Sequence, residues 1–140
     1  MAITMLTPYL VFDGTAAQAI ALYEKALGAR TERLMHAGDI PGEKVPEAAK
    51  HRIVHAFLRV GDAALMVMDG HGDKPVAKDT NVIVSLTSTD LAETTRAFDA
   101  LAQGGQVTMP LHDAFWGAKF GMLTDAFGIR WMLSCETKKA

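Results

Sequence analysis

Phe115-Trp116-Gly117-Ala118-Lys119-Phe120-Gly121-Met122-Leu123-Thr124-Asp125-Ala126-Phe127-Gly128-Ile129-Arg130-Trp131 is the stretch on which the reading of this chain turns. Lys119 to Asp125 and Ile129 to Cys135 are β-compatible runs. Asp125-Ala126-Phe127-Gly128 joins them as a hairpin connection, with a glycine available where φ must be positive. Ahead of the hairpin stands an aromatic pair, Phe115-Trp116, followed by Gly117, in a place where loops are ordinarily polar.

Working outward, Val82 to Thr87 reads as a strand and Ser88-Thr89-Asp90 as a helix-capping sequence. Glu93 is spaced for a capping box on Asp90. Leu91, Phe98 and Leu101 mark one helical face, closed by Gly104-Gly105, and Gln106 to Leu111 resumes a strand. The first half follows the same grammar. Ile3 to Phe12 is a strand that tolerates Pro8 at an edge, and Asp13-Gly14-Thr15 gives a turn and an N-cap. Ala16, Ile20, Tyr23 and Leu27 share a helical face that Gly28 ends. Ala29 to Met35 is a strand. Residues 37–52 form a long surface loop with one helical turn at Pro46 to Lys50. Ile53 to Val60, Gly61-Asp62 and Ala63 to Asp69 form a tight hairpin.

Each half thus reads strand, helix, strand, strand, strand. An accidental likeness within an ordinary α+β sandwich is the plain alternative, but element order and glycine punctuation agree in both halves. The expected fold is α+β: two tandem βαβββ modules forming a cupped mixed sheet. The expected boundaries are one domain over 1–140, with module one at 1–70, a linker at 71–80 and module two at 81–140. A ligand would sit in the cup.

The 140 residues are enough to bury a core, and 49% hydrophobic with 21% charged residues is globular composition. A net charge of −2 gives nucleic acid no electrostatic footing. The single cysteine, Cys135, forms no internal disulfide and points to a reducing, cytoplasmic setting. No signal-like or membrane-spanning run stands out, so no membrane partner is expected. The eight methionines are many for this length and suit adaptable apolar surfaces as well as cores.

Several runs together resemble the vicinal oxygen chelate, or glyoxalase/bleomycin-resistance, superfamily, and more closely its PhnB-like branch. They are Tyr9-Leu10-Val11-Phe12-Asp13-Gly14, Ala19-Ile20-Ala21-Leu22-Tyr23, His55-Ala56-Phe57-Leu58 and Met109-Pro110-Leu111. Phe115-Trp116-Gly117 and Asp125-Ala126-Phe127-Gly128-Ile129-Arg130-Trp131 carry the branch-specific part. Lys119 departs from the branch's usual Arg, which weakens any guanidinium-based anion recognition there. Ala126 departs from its usual Pro and alters turn rigidity. The resemblance implies a homodimer.

The resemblance also implies a divalent metal held by His or carboxylate ligands on the first and last strands of each module. The matching positions are Thr7 or Pro8, Met66 or Met68, the run Val82 to Thr87 with Asn81 at its edge, and Met132. None is a strong hard-metal ligand, so no metal and no cofactor are expected. Alternation places Arg130, Met132 and Ser134 on one face, and Trp131, Leu133 and Cys135 on the other.

Among the five histidines, His36 and His71 read as solvated, and His112-Asp113 as an exposed loop pair. His51 and His55 have helical spacing, but the β-pattern around His55 argues against a helix. His55 shares a strand face with Phe57 and Arg59, opposite Ala56, Leu58 and Val60. It is the candidate general base, set against a hydrogen-bonded structural role. Candidate ligand-binding residues are Tyr9, His55, Phe57, Met66, Met68, Trp116, Met122 and Met132. Trp116 fits two roles, stacking on a ligand or packing a dimer interface. Asp125 fits a backbone cap better than a catalyst, and Cys135 an inert buried thiol. The expected function is binding of a small organic ligand without a conventional metal. The alternative is a metal-dependent isomerase, lyase or dioxygenase with a rebuilt site. A methyltransferase lacks support, because no strand-anchored Gly-rich loop is present.

Overall fold

In the first module the strands are β1 (Tyr9–Phe12), β2 (Arg30–His36), β3 (Ile53–Val60) and β4 (Ala63–Asp69), with helix α1 (Ala16–Leu27) between β1 and β2. The second repeats the order with β5 (Val84–Ser88), α2 (Leu91–Ala102), β6 (Gln106–Asp113), β7 (Ala118–Thr124) and β8 (Arg130–Glu136). The computed structural model describes residues 5–42, 44–70, 76–77 and 82–136. The chain divides into two compact units, Met1–Val76 and Ala77–Ala140. Most of the expected linker, with His71, and Asn81 beyond it lie outside the described residues.

Each unit has its own four-stranded mixed sheet, ordered β1-β4-β3-β2 in one and β5-β8-β7-β6 in the other. In both, the first strand runs parallel to the last and the remaining pairs are antiparallel. The βαβββ repeat read from the sequence is therefore the architecture of both halves.

Period-two alternation sorts the first sheet. Leu10, Phe12, Ala56, Leu58, Leu65 and Val67 are buried and share the face toward which α1 turns Ala16, Ala19, Ile20 and Tyr23. Tyr23 is fully buried and its ring lies 6.5 Å from that of Phe12. The helix ends as expected, with Gly28 at φ 66° and its N–H on the Glu24 carbonyl.

Its start differs from expectation. Thr15 makes no side-chain cap. Asp69, at the end of β4, instead accepts the Ala16 N–H at 3.0 Å and, through its other oxygen, the Ile53 N–H at 3.0 Å. A carboxylate from 53 residues away does the work of a local cap. The first strand is also shorter than expected. Proline has no N–H to donate, and the Pro8 carbonyl, accepting from the Met66 N–H, leads directly into Tyr9. The long loop carries two short 3₁₀ turns, Ala37–Asp39 and Glu47–Ala49, the second where a turn was expected.

In the second unit Leu123, Trp131, Leu133 and Cys135 are buried beneath the α2 residues Thr94, Ala97, Phe98 and Leu101. Phe98 lies so close over Gly121 that a Cβ there would sit 2.8 Å from its ring. At the start of α2, Asp90 caps the Glu93 N–H at 3.0 Å. The reciprocal half of the expected box is supplied by Ser88, whose hydroxyl accepts the Asp90 N–H. The β7–β8 connection is the expected hairpin, with Gly128 at φ 92° and the Asp125 N–H bonded to the Ile129 carbonyl at 2.8 Å.

Candidate functional site

The face of the first sheet turned away from α1 is assembled by register. Tyr9 stands opposite Met66 and Val11 opposite Met68. Met66 stands opposite Phe57, and Phe57 and His55 stand opposite Arg33 and Met35. Because paired residues project to one side of a sheet, these eight side chains form one surface. Arg59, two residues beyond Phe57 on β3, belongs to it too.

Tyr9 and His55 meet across β4. The phenolic oxygen lies 2.9 Å from Nδ1 of the imidazole, and the rings pack edge to face. With the imidazole proton on Nε2, the tyrosine hydroxyl donates to Nδ1 and His55 keeps an N–H free to donate to a ligand. With the proton on Nδ1, His55 donates to Tyr9 and leaves Nε2 as a base. Burial raises the phenol above its ordinary value of 10.0, so Tyr9 holds its proton throughout the neutral range. A hydroxyl and an imidazole thus share one hydrogen bond among thioethers. That arrangement can orient a polar ligand group or relay a proton.

Phe57 is 5% exposed although it faces away from the helix. The guanidinium groups of Arg33 and Arg59 lie over its ring, 4.6 and 5.1 Å from the centroid. Any ligand on this face meets the arginines before it meets the ring. Met66 and Met68 are half-buried on the same face.

On the second sheet Met122 and Met132 are cross-strand partners, half-buried on the face opposite Trp131 and Leu133. Ser85 stands opposite Met132, and Ser134 opposite Phe120. Trp116 lies in the loop ahead of β7, 55% exposed, edge-on to both Phe115 and Phe120. Phe115 itself is 97% exposed. The expected residues therefore fall into two groups: Tyr9, His55, Phe57, Met66 and Met68 on one sheet face, and Trp116, Met122 and Met132 in the other unit.

His112 bonds the Pro110 carbonyl through Nδ1 and packs edge-on against Phe120. Asp125 is a cap: Oδ1 accepts the N–H groups of Phe127 and Ile129, and Oδ2 accepts the indole N–H of Trp131. Cys135 is buried.

The donor set does not fit a hard divalent metal. Among the described residues no three His, Cys, Asp or Glu side chains gather as a possible metal site. The strand positions that would ligate carry Met66, Met68 and Met132, whose thioethers suit soft metals. Thr7 precedes β1 and offers only a hydroxyl.

Sequence reasoning missed Arg33. The signal lies in the alternation of Arg33 with Met35 along β2, but a register shift between Thr31 and Arg33 hides which β3 residue each one faces.

Comparison with known proteins adds a family and relatives. The model for the Glyoxalase/Bleomycin resistance protein/Dioxygenase superfamily matches residues 5–133. Protein YjdN of Escherichia coli is 32% identical over 141 residues, covering 92% of this chain and 93% of that protein. The crystal structure of protein PA1353 from Pseudomonas aeruginosa is 41% identical, with a TM-score of 0.86 over 96% of this chain and 98% of that one. A solved structure named "Putative 3-demethylubiquinone-9 3-methyltransferase, PhnB protein" from Bacillus cereus is 23% identical. Its TM-score is 0.78 over 94% of this chain and 99% of that one, a likeness of fold.

Proposed function

This chain belongs to the Glyoxalase/Bleomycin resistance protein/Dioxygenase superfamily, and on that premise we propose that it binds a small organic ligand on the open sheet face holding Tyr9 and His55, without a conventional metal centre. The observation that carries the reading is the 2.9 Å Tyr9–His55 hydrogen bond set among Met35, Met66 and Met68. It offers a polar pair at the centre of a thioether-lined surface. Flexible thioethers adapt to varied apolar shapes, and a few placed polar groups give orientation. His55 acts as the hydrogen-bonding residue and as the base if the ligand is turned over. Met122 and Met132 are proposed as ligand contacts within the second unit, and Trp116 as either a ligand contact or a dimer contact. The protein works as a single glyoxalase-like domain, as a homodimer, in a reducing cytoplasmic compartment; the lone buried Cys135 supports the last.

Two other activities receive less support. A metal-dependent isomerase, lyase or dioxygenase needs hard ligands that the strand positions do not supply. The methyltransferase name of the Bacillus protein is not carried over: Gly104-Gly105 follows α2, whereas a dinucleotide-type loop follows a strand and opens a helix.

His55→Ala is the direct test. It is expected to abolish the response to whatever co-purifies, identified by native mass spectrometry, while the melting temperature changes by only a few degrees. A large loss of melting temperature with the ligand response intact would make His55 structural. Stoichiometric Zn, Ni, Mn or Fe in protein purified without added metal would replace the metal-free reading.

A further inference from the structure

Two guanidinium groups cover the Phe57 ring, and their charges are answered unequally. Arg59 Nε lies 3.4 Å from Glu32 Oε1. The other Glu32 oxygen lies 3.6 Å from Arg30, the cross-strand partner of Arg59, whose side chain is 75% exposed. Among the described residues no carboxylate stands within ion-pairing distance of Arg33. On this face Arg30, Arg33 and Arg59 stand against the single carboxylate of Glu32, so positive charge is in excess there, in a chain whose net charge is −2. The excess lies beside the Tyr9–His55 pair, since Arg33, Phe57, Met66 and Tyr9 stand in one row across the sheet.

We propose that Arg33, with Arg59 beside it, binds the carboxylate of a small organic acid whose apolar body lies along Met66 and Met68 toward Tyr9 and His55. This rests on the reading that the face binds a small molecule, and it names the chemical class. A guanidinium presents two parallel N–H donors that match a carboxylate, where a lysine would offer a point charge. Held over an aromatic ring, it has less rotamer freedom left to lose when the ligand arrives. The surplus of guanidinium over carboxylate matches an organic anion, and Arg33, which has no carboxylate partner among the described residues, offers it the open two-pronged seat. The thioethers between the arginines and the Tyr9–His55 pair supply the apolar contact that a free inorganic anion cannot use.

The test is an NMR titration of the full chain with phenylacetate, with phenylacetamide, which keeps the shape and lacks the charge, and with phenyl phosphate. Phenylacetate is expected to shift the Arg33, Arg59 and His55 side-chain signals saturably, and phenylacetamide to bind about tenfold more weakly. Arg33→Gln should lower the affinity for phenylacetate to that for the amide and leave the amide unchanged, with Arg33→Lys intermediate. Arg33 is exposed on an edge strand, so its variants are expected to keep the wild-type melting curve. Arg59→Gln repeats the test at the second guanidinium. Equal binding of acid and amide on the same signals, or no effect of Arg33→Gln, overturns the carboxylate assignment and leaves the small-molecule reading standing. Tighter binding of phenyl phosphate than phenylacetate overturns it in favour of a dianion. If neither acid nor amide moves the His55 signals, both readings fall.

Discussion

Asp125 is 3% exposed, and its two carboxylate oxygens accept N–H groups from Phe127, Ile129 and the Trp131 indole. One residue thus holds the β7–β8 turn and fixes the largest core side chain of the second unit. Asp125→Ala strands a buried indole N–H and opens the turn. It is expected to lower the unfolding free energy by about 3 kcal/mol in urea titrations, with Asn recovering part of the loss. The turn-capping role was legible because Asp at this place in a hairpin bonds its own backbone. The indole contact was not: it depends on the buried Trp131 side chain of β8 bringing its N–H within 3.0 Å of Asp125 Oδ2, which no spacing rule supplies. His55 and Tyr9 divide in the same way. Alternation placed His55 with Phe57 on one face, but their pairing across β4 needs the parallel β1–β4 register. Burial raises the Tyr9 phenol above 10.0, and this has a sign. The unfolded phenol ionises first, so stability is complete below that value and falls as pH rises through the higher folded one. Tyr9 is 40% exposed, so the effect is small. Tyr9→Phe should show a shallower loss of stability than wild type in denaturant titrations above about pH 10; the buried Tyr23 is common to both chains and cancels.

At the level of elements, strand identity followed from alternation and helix ends from glycine, and both were legible. What escaped was how elements are tied to each other. Thr15 sits where local rules put a cap, yet Asp69 takes the Ala16 N–H and joins α1 to the start of β3 through Ile53. Arg52 reinforces this corner: it donates to the Gly70 carbonyl at 2.7 Å, and its guanidinium lies 3.6 Å from Asp13. Asp69→Ala leaves two amide N–H groups without their acceptor in a buried setting. It is expected to cost about 2–4 kcal/mol, with hydrogen exchange quickening first at Ala16 and Ile53. Were Thr15 able to take over as the cap, only the Ile53 amide would lose protection. The same limit explains Arg33: strand β2 was readable, but the register shift that sets it opposite Phe57 was not.

For the whole molecule, the duplicated βαβββ order was the strongest signal in the chain, because each unit repeats the same punctuation and buries its own helix-facing core. The aromatic pair ahead of β7 has no counterpart in that repeat. Phe115 is 97% and Trp116 55% exposed, with ring contacts that stiffen the pair into one apolar projection. A homodimer would bury the pair, and a ligand stacked on Trp116 would bury one ring only. Sedimentation of the wild-type chain is expected at twice its 15.1 kDa mass. Trp116→Ser should weaken the dimer at least tenfold, as loss of a central aromatic anchor does, while phenylacetate still moves the His55 signals. If Trp116 is instead a ligand contact, the variant stays dimeric and loses ligand. Phe115→Ser separates the cases again, because a residue so exposed gains buried surface from a partner chain and little from a small molecule.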